Sequence, residues 1–332
     1  MSGGGEATAA GRGPAPPRLL TAVPSRGSLP APDARTSRGP NASDEGVTPP
    51  RGGPADGLLA RWDAQQAAYI ADREGRFAVV LDVVAFVLGE APVVVDVACG
   101  PGSLSVRVLE RFPDAQVVAL DVDPLLLRVA GEALAPFGDR AAVLDADLDD
   151  PQWPDAVRAA LATHPKDDTG ARAPVPGATG DAGASLHPGG ITPTAVVSST
   201  ALHWLPPAGL VRVYGQAHDL LAPGGVLLNA DHLRFDDRLP TLRRISAVHD
   251  EATQARGFGD GAPTWDAWWA EARALPGGEE LHAERERRFA GRDAPPPTTV
   301  DFHVAALGQA GFAEASPVWQ LFDDFVVLGR RG

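Results

Sequence analysis

Apolar residues recur along the chain at two different periods, and each period predicts a different element. From Gly57 to Leu88 the large apolar residues return at helical spacing, which predicts two helices before any strand. Apolar runs rich in β-branched residues then predict five buried strands, separated by helical segments, within residues 92–100, 115–121, 141–147, 193–200 and 224–231. Strands that alternate with helices and are apolar on both faces are typical of a parallel sheet, so the predicted fold class is α/β.

The last part of the chain breaks this alternation. Residues 312–322 and 323–331 are both strand-like, and only a short acidic turn separates them. Such a turn permits a hairpin but leaves no room for a helical crossover. The sequence therefore predicts a sheet of seven strands, mostly parallel, with an antiparallel last strand and with helices on both faces.

Composition divides the chain into a tail and one domain. Residues 1–56 are rich in Gly and Pro and contain no aromatic residue, so we expect a disordered tail before a domain at residues 57–332. Residues 163–192 lack any periodicity and predict a flexible insertion at the sheet edge opposite the carboxyl ends of the strands. Residues 232–300 follow the fifth strand and hold three tryptophans, so we expect a helical lid that selects the substrate.

Charge and cysteine content disfavour several classes of protein. A formal net charge of −14 repels a phosphate backbone, so we expect no nucleic-acid partner. The single cysteine, Cys99, excludes an internal disulfide and a thiolate metal cage. No run of the sequence approaches the roughly 20 apolar residues of a membrane span. These features predict a cytoplasmic protein with no membrane partner.

A glycine-rich turn follows the first strand, and acidic residues stand at the ends of the first three strands. Gly100 and Gly102 lack side chains, so a ligand can approach the backbone there. Asp96 can meet a ligand ammonium group, Asp121 can accept hydrogen bonds from both ribose hydroxyls, and Asp147 can accept an adenine amino proton. Together these acids predict a nucleoside ligand with a positively charged amino-acid arm, which is the shape of S-adenosylmethionine.

Four motifs carry a family resemblance. DVACGPG (96–102) is similar to an acidic, glycine-rich cofactor loop, and ALDVDP (119–124) to a ribose-binding motif. ADLDDPQW (146–153) is similar to an adenine-binding segment, and LLAPGGVLLNAD (220–231) to the loop and strand after the fourth crossover helix. Over nearly all of residues 57–332 the chain resembles class I S-adenosylmethionine-dependent methyltransferases.

Two further segments place the resemblance in one branch of that family. STALHWL (199–205) and WDAQQAAYIADRE (62–74) are similar to the branch of trans-aconitate-type methyltransferases. The resemblance implies a Rossmann-like sheet, S-adenosylmethionine as cofactor and a small-molecule methyl acceptor. It also implies cofactor contacts at Tyr69, Asp96, Ala98, Cys99, Gly100, Gly102, Asp121, Val122, Asp147, Leu148 and Ser199. Ala98 stands at the first glycine of the family loop, and Asp145 is an alternative to Asp147.

Two histidines are candidate general bases for methyl transfer to an oxygen or carboxylate. His203 follows the fourth strand and His232 the fifth, both at the edge where the methyl group would point. An orienting or packing role is the alternative for each. We expect no metal, because Ser198 and Ser199 stand where metal-dependent relatives carry a carboxylate at the end of the fourth strand.

Two other functions remain open at the level of sequence. The first is a non-catalytic S-adenosylmethionine-binding protein. The second is an NAD(P)-dependent oxidoreductase, although the dinucleotide fingerprint requires a third glycine where Ser105 stands.

Overall fold

The computed structural model describes residues 54–163 and 191–332. Most of the predicted tail (1–56) and of the predicted insertion (163–192) therefore lies outside the described residues. The helices are α1 (Pro54–Tyr69), α2 (Arg73–Leu88), α3 (Ser103–Arg111), α4 (Pro124–Leu134), α5 (Trp153–Thr163), α6 (Pro207–Leu220), α7 (Pro240–Gly259), α8 (Trp265–Arg273), α9 (Gly278–Phe289) and α10 (Val300–Gln309). Short 3-10 helices at Ala135–Arg140 and Leu202–Trp204 complete the helical elements of this part of the chain.

The described residues form one seven-stranded sheet in the order β3-β2-β1-β4-β5-β7-β6. Its strands are β1 (Val93–Val97), β2 (Gln116–Asp121), β3 (Ala141–Asp145), β4 (Ala195–Ser199), β5 (Val226–His232), β6 (Glu314–Leu321) and β7 (Asp324–Arg330). Strands β1 to β5 pair in parallel, whereas β7 runs antiparallel to both β5 and β6. The predicted α/β fold, with a mostly parallel sheet and an antiparallel last strand, is confirmed.

The strand order fixes where a ligand can enter. From β1 the chain first adds strands on one side, β2 and then β3, and afterwards returns to the other side of β1 to form β4. In an open parallel sheet this reversal leaves a crevice at the carboxyl ends of the strands that flank it. The loops after β1, β2, β3, β4 and β5 all meet at that edge.

Two apolar layers sandwich the sheet because successive strand residues point to opposite faces. In β1, Val93, Val95 and Val97 pack on one side, in the cluster that includes side chains of α5, α6 and α10. Val94 packs on the other side, in the cluster built with α2 and α3. Asp96 shares the α2 and α3 side with Val94, so this carboxyl group points into an apolar layer.

The region of the predicted lid, residues 232–300, contains α7, α8 and α9. Helix α8 packs against α1 and α4 through Leu58, Leu125, Trp268 and Trp269, which form a third apolar cluster. Trp268 is fully buried, its indole N–H donates to the Leu58 carbonyl at 2.9 Å, and its ring meets Trp62 edge-on at 4.7 Å. None of the helices described is long and apolar enough to cross a membrane.

We predict that Trp268→Ala lowers the free energy of unfolding by about 3–5 kcal/mol, because it leaves a large cavity in the third apolar cluster and removes the indole hydrogen bond to Leu58. Urea-induced unfolding followed by circular dichroism measures this change. The control is Trp204→Ala, because Trp204 is half-exposed and its loss should cost less than about 1 kcal/mol. Equal losses in the two variants would contradict the packing of α8 described above.

Candidate functional site

The turn after β1 has a backbone that needs small residues. Ala98, Gly100 and Gly102 all have positive φ angles, of 54°, 57° and 90°. A Cβ atom at Gly100 would meet nothing within 4 Å, so this position faces open space. Gly102 immediately precedes the first residue of α3. The loop therefore brings bare backbone to the carboxyl edge of the sheet, as its sequence predicts.

Two acids lie buried beside this turn. Asp96 accepts a hydrogen bond from Ser105 Oγ at 2.7 Å, and Asp121 accepts the backbone N–H groups of Gly100 and Asp123, both at 2.8 Å. Burial is the main cause that raises the pKa of Asp96 to about 7 and that of Asp121 to about 6, and each receives a further rise from a neighbouring carboxylate. Within the described residues neither acid forms an ion pair. The site thus concentrates negative charge that lacks a cation.

A cavity of about 640 Å³ continues the crevice beyond β2 and β3. Val122 and Asp147, which the sequence places at the adenine end, both line it, together with Asp145 and the buried Trp153. Leu148 is buried behind them. The structure thus brings the predicted adenine residues to one cavity, next to the strand that ends in Asp121.

Arginines from α9 and the turn after it form the other wall of this cavity. Arg288 donates to both carboxylate oxygens of Asp145 at 2.6 and 2.9 Å and to the Val122 carbonyl at 3.0 Å. Arg292 pairs with Asp147, and both arginines line the cavity. These residues were missed from sequence, because an arginine on a polar helix gives no sign of a partner more than 140 residues away.

A second cluster ties α1 to the start of α3. The Asp63 carboxylate accepts from Ser103 Oγ at 2.6 Å, from Arg73 at 2.8 Å and from Arg107 at 3.1 Å. Arg73 is almost fully buried, and its guanidinium lies 4.5 Å from the Phe77 ring centroid. The apolar residues at helical spacing in the two N-terminal helices predict that these helices pack on the domain, but they do not reveal this polar contact with the glycine-rich turn.

The histidines predicted from sequence lie together at the ends of β4 and β5. His203 Nδ1 lies 2.7 Å from Asp231 Oδ1, and its backbone N–H donates to the other oxygen of that carboxylate at 3.0 Å. His232 Nδ1 lies 2.5 Å from Asp324 Oδ1. The two imidazole rings are 6.2 Å apart, so the edge carries two neighbouring histidine–carboxylate pairs.

The Arg76 guanidinium contacts the carboxylate of one of these pairs and two hydroxyl side chains at the end of β4. It is fully buried and contacts Thr200 Oγ1 at 2.5 Å, and Asp324 Oδ1 and Ser199 Oγ each at 3.4 Å. Burial alone would raise the pKa of Asp231, but His203, His232 and Arg76 outweigh it and hold that pKa well below its usual range. Asp231 therefore stays ionised.

Tyr69 and Cys99, two of the residues predicted to contact the cofactor, are in contact with other parts of the protein. The Tyr69 ring meets Phe258 of α7 edge-on at 5.2 Å, so it joins the N-terminal helix to the predicted lid. Cys99 is buried, and burial raises the pKa of its thiol well above the usual value. This shift makes Cys99 an unreactive packing residue beneath the turn.

Residues 94–190 match a family model described as a methyltransferase domain. A trans-aconitate 2-methyltransferase from Methylobacterium radiotolerans is 29% identical to this chain over 209 residues, which cover 61% of each. A ribosomal RNA small subunit methyltransferase H from Streptomyces avermitilis is 49% identical over 71 residues, which cover 21% of this chain and 22% of that protein. This chain therefore spans less than two thirds of the length of either relative.

The family model covers the strands that carry the glycine-rich turn and all three acids. Residues 94–190 therefore belong to a methyltransferase domain, in agreement with the class I S-adenosylmethionine-dependent family named from the motifs. The resemblance stated from the motifs is thus confirmed. Among solved structures, an O-methyltransferase family protein from Burkholderia thailandensis aligns with this methyltransferase over 84% of this chain and 71% of that one, with 17% identity and a TM-score of 0.45.

The raised pKa of Asp96 predicts how the stability of this methyltransferase depends on pH. The folded state binds a proton at Asp96 up to about pH 7, whereas the unfolded chain releases it near pH 4, so this group destabilises the ligand-free fold as the pH rises between those values. We expect Asp96→Asn to raise the free energy of unfolding at pH 8 by roughly 2–4 kcal/mol, with little effect at pH 4.

Chemical unfolding of both proteins at a series of pH values measures this difference. Asn keeps an oxygen that can accept the Ser105 hydrogen bond, so the substitution removes charge without removing that contact. A gap between the two proteins that does not change between pH 4 and pH 8 would contradict a strained, buried Asp96 carboxylate.

Proposed function

We propose that this methyltransferase transfers the methyl group of S-adenosylmethionine to an oxygen or carboxylate of a small-molecule acceptor, with His203 as the general base. The observation that carries this proposal is the pair formed by His203 and the buried, ionised Asp231 at the carboxyl edge. The cofactor supplies an electrophilic methyl group when bound. What the protein must add is alignment of the acceptor and, where the acceptor is a hydroxyl, removal of its proton, because a carboxylate is already ionised.

The residues at the glycine-rich turn fit the cofactor in charge and in space. Asp96 would face its ammonium group, because a cation there relieves the unpaired negative charge of the two buried acids. Asp121 uses each oxygen for one backbone N–H, which leaves further lone pairs to accept ribose hydroxyls. The open space at Gly100 lets the ligand lie against the backbone.

The remaining predicted contacts lie along the same edge of the sheet, on either side of the glycine-rich turn. Val122 and Asp147 would bound the adenine ring in the cavity after β3, with the buried Leu148 next to Asp147 in the chain. Ser199 ends β4 beside β1 and would lie near the reacting end, while Ala98 and Cys99 complete the turn. Tyr69 would act with Phe258 as part of the cover over the cofactor.

His203 is better placed than His232 to act as the base. The side chain of His203 is 28% exposed and that of His232 is 14% exposed, so an acceptor reaches His203 more easily. Asp231 holds the His203 ring through Nδ1, which leaves Nε2 as the atom that takes the proton, and its charge stabilises the imidazolium that forms. His232, beside it, would orient the acceptor.

The charge of the protein favours a small acceptor. A net charge of −14 opposes binding to RNA, and the arginines nearest the end of β5 are already used. Arg234 pairs with Asp250 and Asp323, and Arg238 pairs with Asp236. A trans-aconitate 2-methyltransferase is the relative that matches the longest stretch reported above, and its name also describes a small-molecule acceptor.

We predict that Asp121→Ala weakens binding of S-adenosylmethionine by about 10- to 100-fold, because a charged acceptor for the ribose is lost. Isothermal calorimetry on the purified chain measures the affinity. Asp82→Ala is the matched control, since Asp82 is exposed on α2, and it should bind as the wild type does. An unchanged affinity in Asp121→Ala would refute the assignment of the ribose site.

We predict that His203→Gln lowers kcat by about 10²- to 10⁴-fold while the affinity for S-adenosylmethionine stays within about twofold. The assay is release of S-adenosylhomocysteine with a hydroxyl acceptor found by screening small alcohols and phenols against the wild type. His218→Gln is the control, because His218 lies in the last turn of α6, at the opposite edge of the sheet. Equal loss of turnover and of cofactor affinity in His203→Gln would assign His203 a structural role instead.

A further inference from the structure

The two arginines that line the adenine cavity are held very differently. Arg288 has four acceptors: Glu284, both oxygens of Asp145 and the Val122 carbonyl. Arg292 has one carboxylate partner, Asp147, and one backbone partner, the Arg288 carbonyl. Its side chain is 37% exposed and that of Asp147 is 29% exposed. An ion pair so open to water contributes little. The Arg288–Asp145 pair is also exposed, at 26% and 53%, so the number of acceptors and not exposure makes Arg292 the less firmly held of the two.

The weakly held pair includes the carboxylate that the cofactor needs. Asp147 is the acid assigned to the adenine amino group, and in the ligand-free protein Arg292 donates to one of its oxygens, while its other oxygen accepts the Asp149 backbone N–H. Each Asp147 oxygen keeps a further lone pair, but Arg292 also lines the cavity, so its guanidinium occupies space through which an amino group would approach this carboxylate. By contrast, Arg288 contacts the backbone of Val122 and leaves Asp147 free.

We propose that Arg292 is a releasable gate on the adenine end of the cofactor cavity and that Arg288 is its fixed wall. The inference rests on the proposed cofactor site. Binding of an adenine amino group replaces the guanidinium of Arg292 at Asp147, whereas Arg288 keeps α9 against the turns after β2 and β3. The lid thereby contributes to cofactor affinity as well as to the choice of acceptor.

The proposed gate predicts opposite changes in ligand affinity when Arg292 and when Arg288 are replaced by alanine. Arg292→Ala should tighten binding of S-adenosylhomocysteine by about two- to fivefold, the amount that an exposed ion pair costs to break. Arg292→Lys keeps the competing charge and should stay within about twofold of the wild type. Arg288→Ala removes the wall and should weaken binding. Arg287→Ala is the matched control on the same helix, because Arg287 pairs only with Glu284 and does not line the cavity.

Two conditions separate the gate from a general effect of charge. In about 1 M salt the exposed pair is screened, so the wild type and Arg292→Ala should bind with equal affinity. S-inosylhomocysteine carries an oxygen in place of the amino group and cannot donate to Asp147 from that position. Its affinity should therefore be the same for Arg292→Ala and for the wild type. Calorimetric titration gives the affinities, and thermal unfolding of each variant verifies that it is folded.

Each outcome decides one question. Tighter binding of the adenosyl ligand alone, only at low salt, supports the gate. Unchanged or weaker binding in folded Arg292→Ala overturns it. If the wild type binds S-adenosylhomocysteine and Asp121→Ala weakens that binding, failure of the Arg292 test refutes the gate without touching the cofactor site. If the wild type does not bind it at all, the proposed function itself fails.

Discussion

Two carboxyl groups, Asp96 and Asp121, lie buried beside the glycine-rich turn without a cation of their own. A pair of this kind is costly, because burial penalises each charge, while Asp121 raises the pKa of Asp96 and Asp123 raises that of Asp121. The sheet places the pair together: Asp96 lies in β1 with its side chain on the α2 and α3 face, and Asp121 ends the neighbouring β2. A cationic ligand would relieve this cost.

Most other acids at this edge face a histidine or an arginine. Asp231 and Asp324 face His203, His232 and Arg76, while Asp123, Asp145 and Asp147 pair with arginines of α9 and the turn after it. This contrast separates three parts of the edge by charge. Under the proposed function, the unpaired acids would face the cationic end of the ligand, the arginine-paired acids its adenine end, and the histidine pairs the acceptor. Along the sheet edge, the arginine-paired acids lie near β2 and β3, the unpaired acids lie at β1 and β2, and the histidine pairs lie at β4 and β5.

The sequence predicts the parts of this arrangement that depend on local pattern. Strands β1, β2, β4 and β5 are recognisable because they are apolar and buried on both faces. Strand β3 is also predicted to be buried, but it is partly exposed because it lies at the edge of the sheet. The glycine turn, Asp96, Asp121 and Asp147 follow because chain order places each acid at or near a strand end. The partners of these residues are not predictable in the same way. Arg76 and Asp324 are 248 residues apart, and Arg288 and Asp145 are 143 apart. An ion pair has no periodicity, so only the assembled fold reveals that His203 has Asp231 behind it or that the lid contacts the adenine cavity.

We expect the buried carboxyl groups of Asp96 and Asp121 to stay partly protonated until a cationic cofactor binds. Calorimetric titration of the wild-type chain with S-adenosylmethionine at pH 6.5, repeated in buffers of different ionisation enthalpy and compared with NADH, tests it directly. We expect micromolar binding of S-adenosylmethionine and no binding of NADH. Binding of S-adenosylmethionine should release protons, because the ligand cation lowers the pKa of Asp96. Binding of NADH alone, or binding of S-adenosylmethionine without proton release, would contradict it.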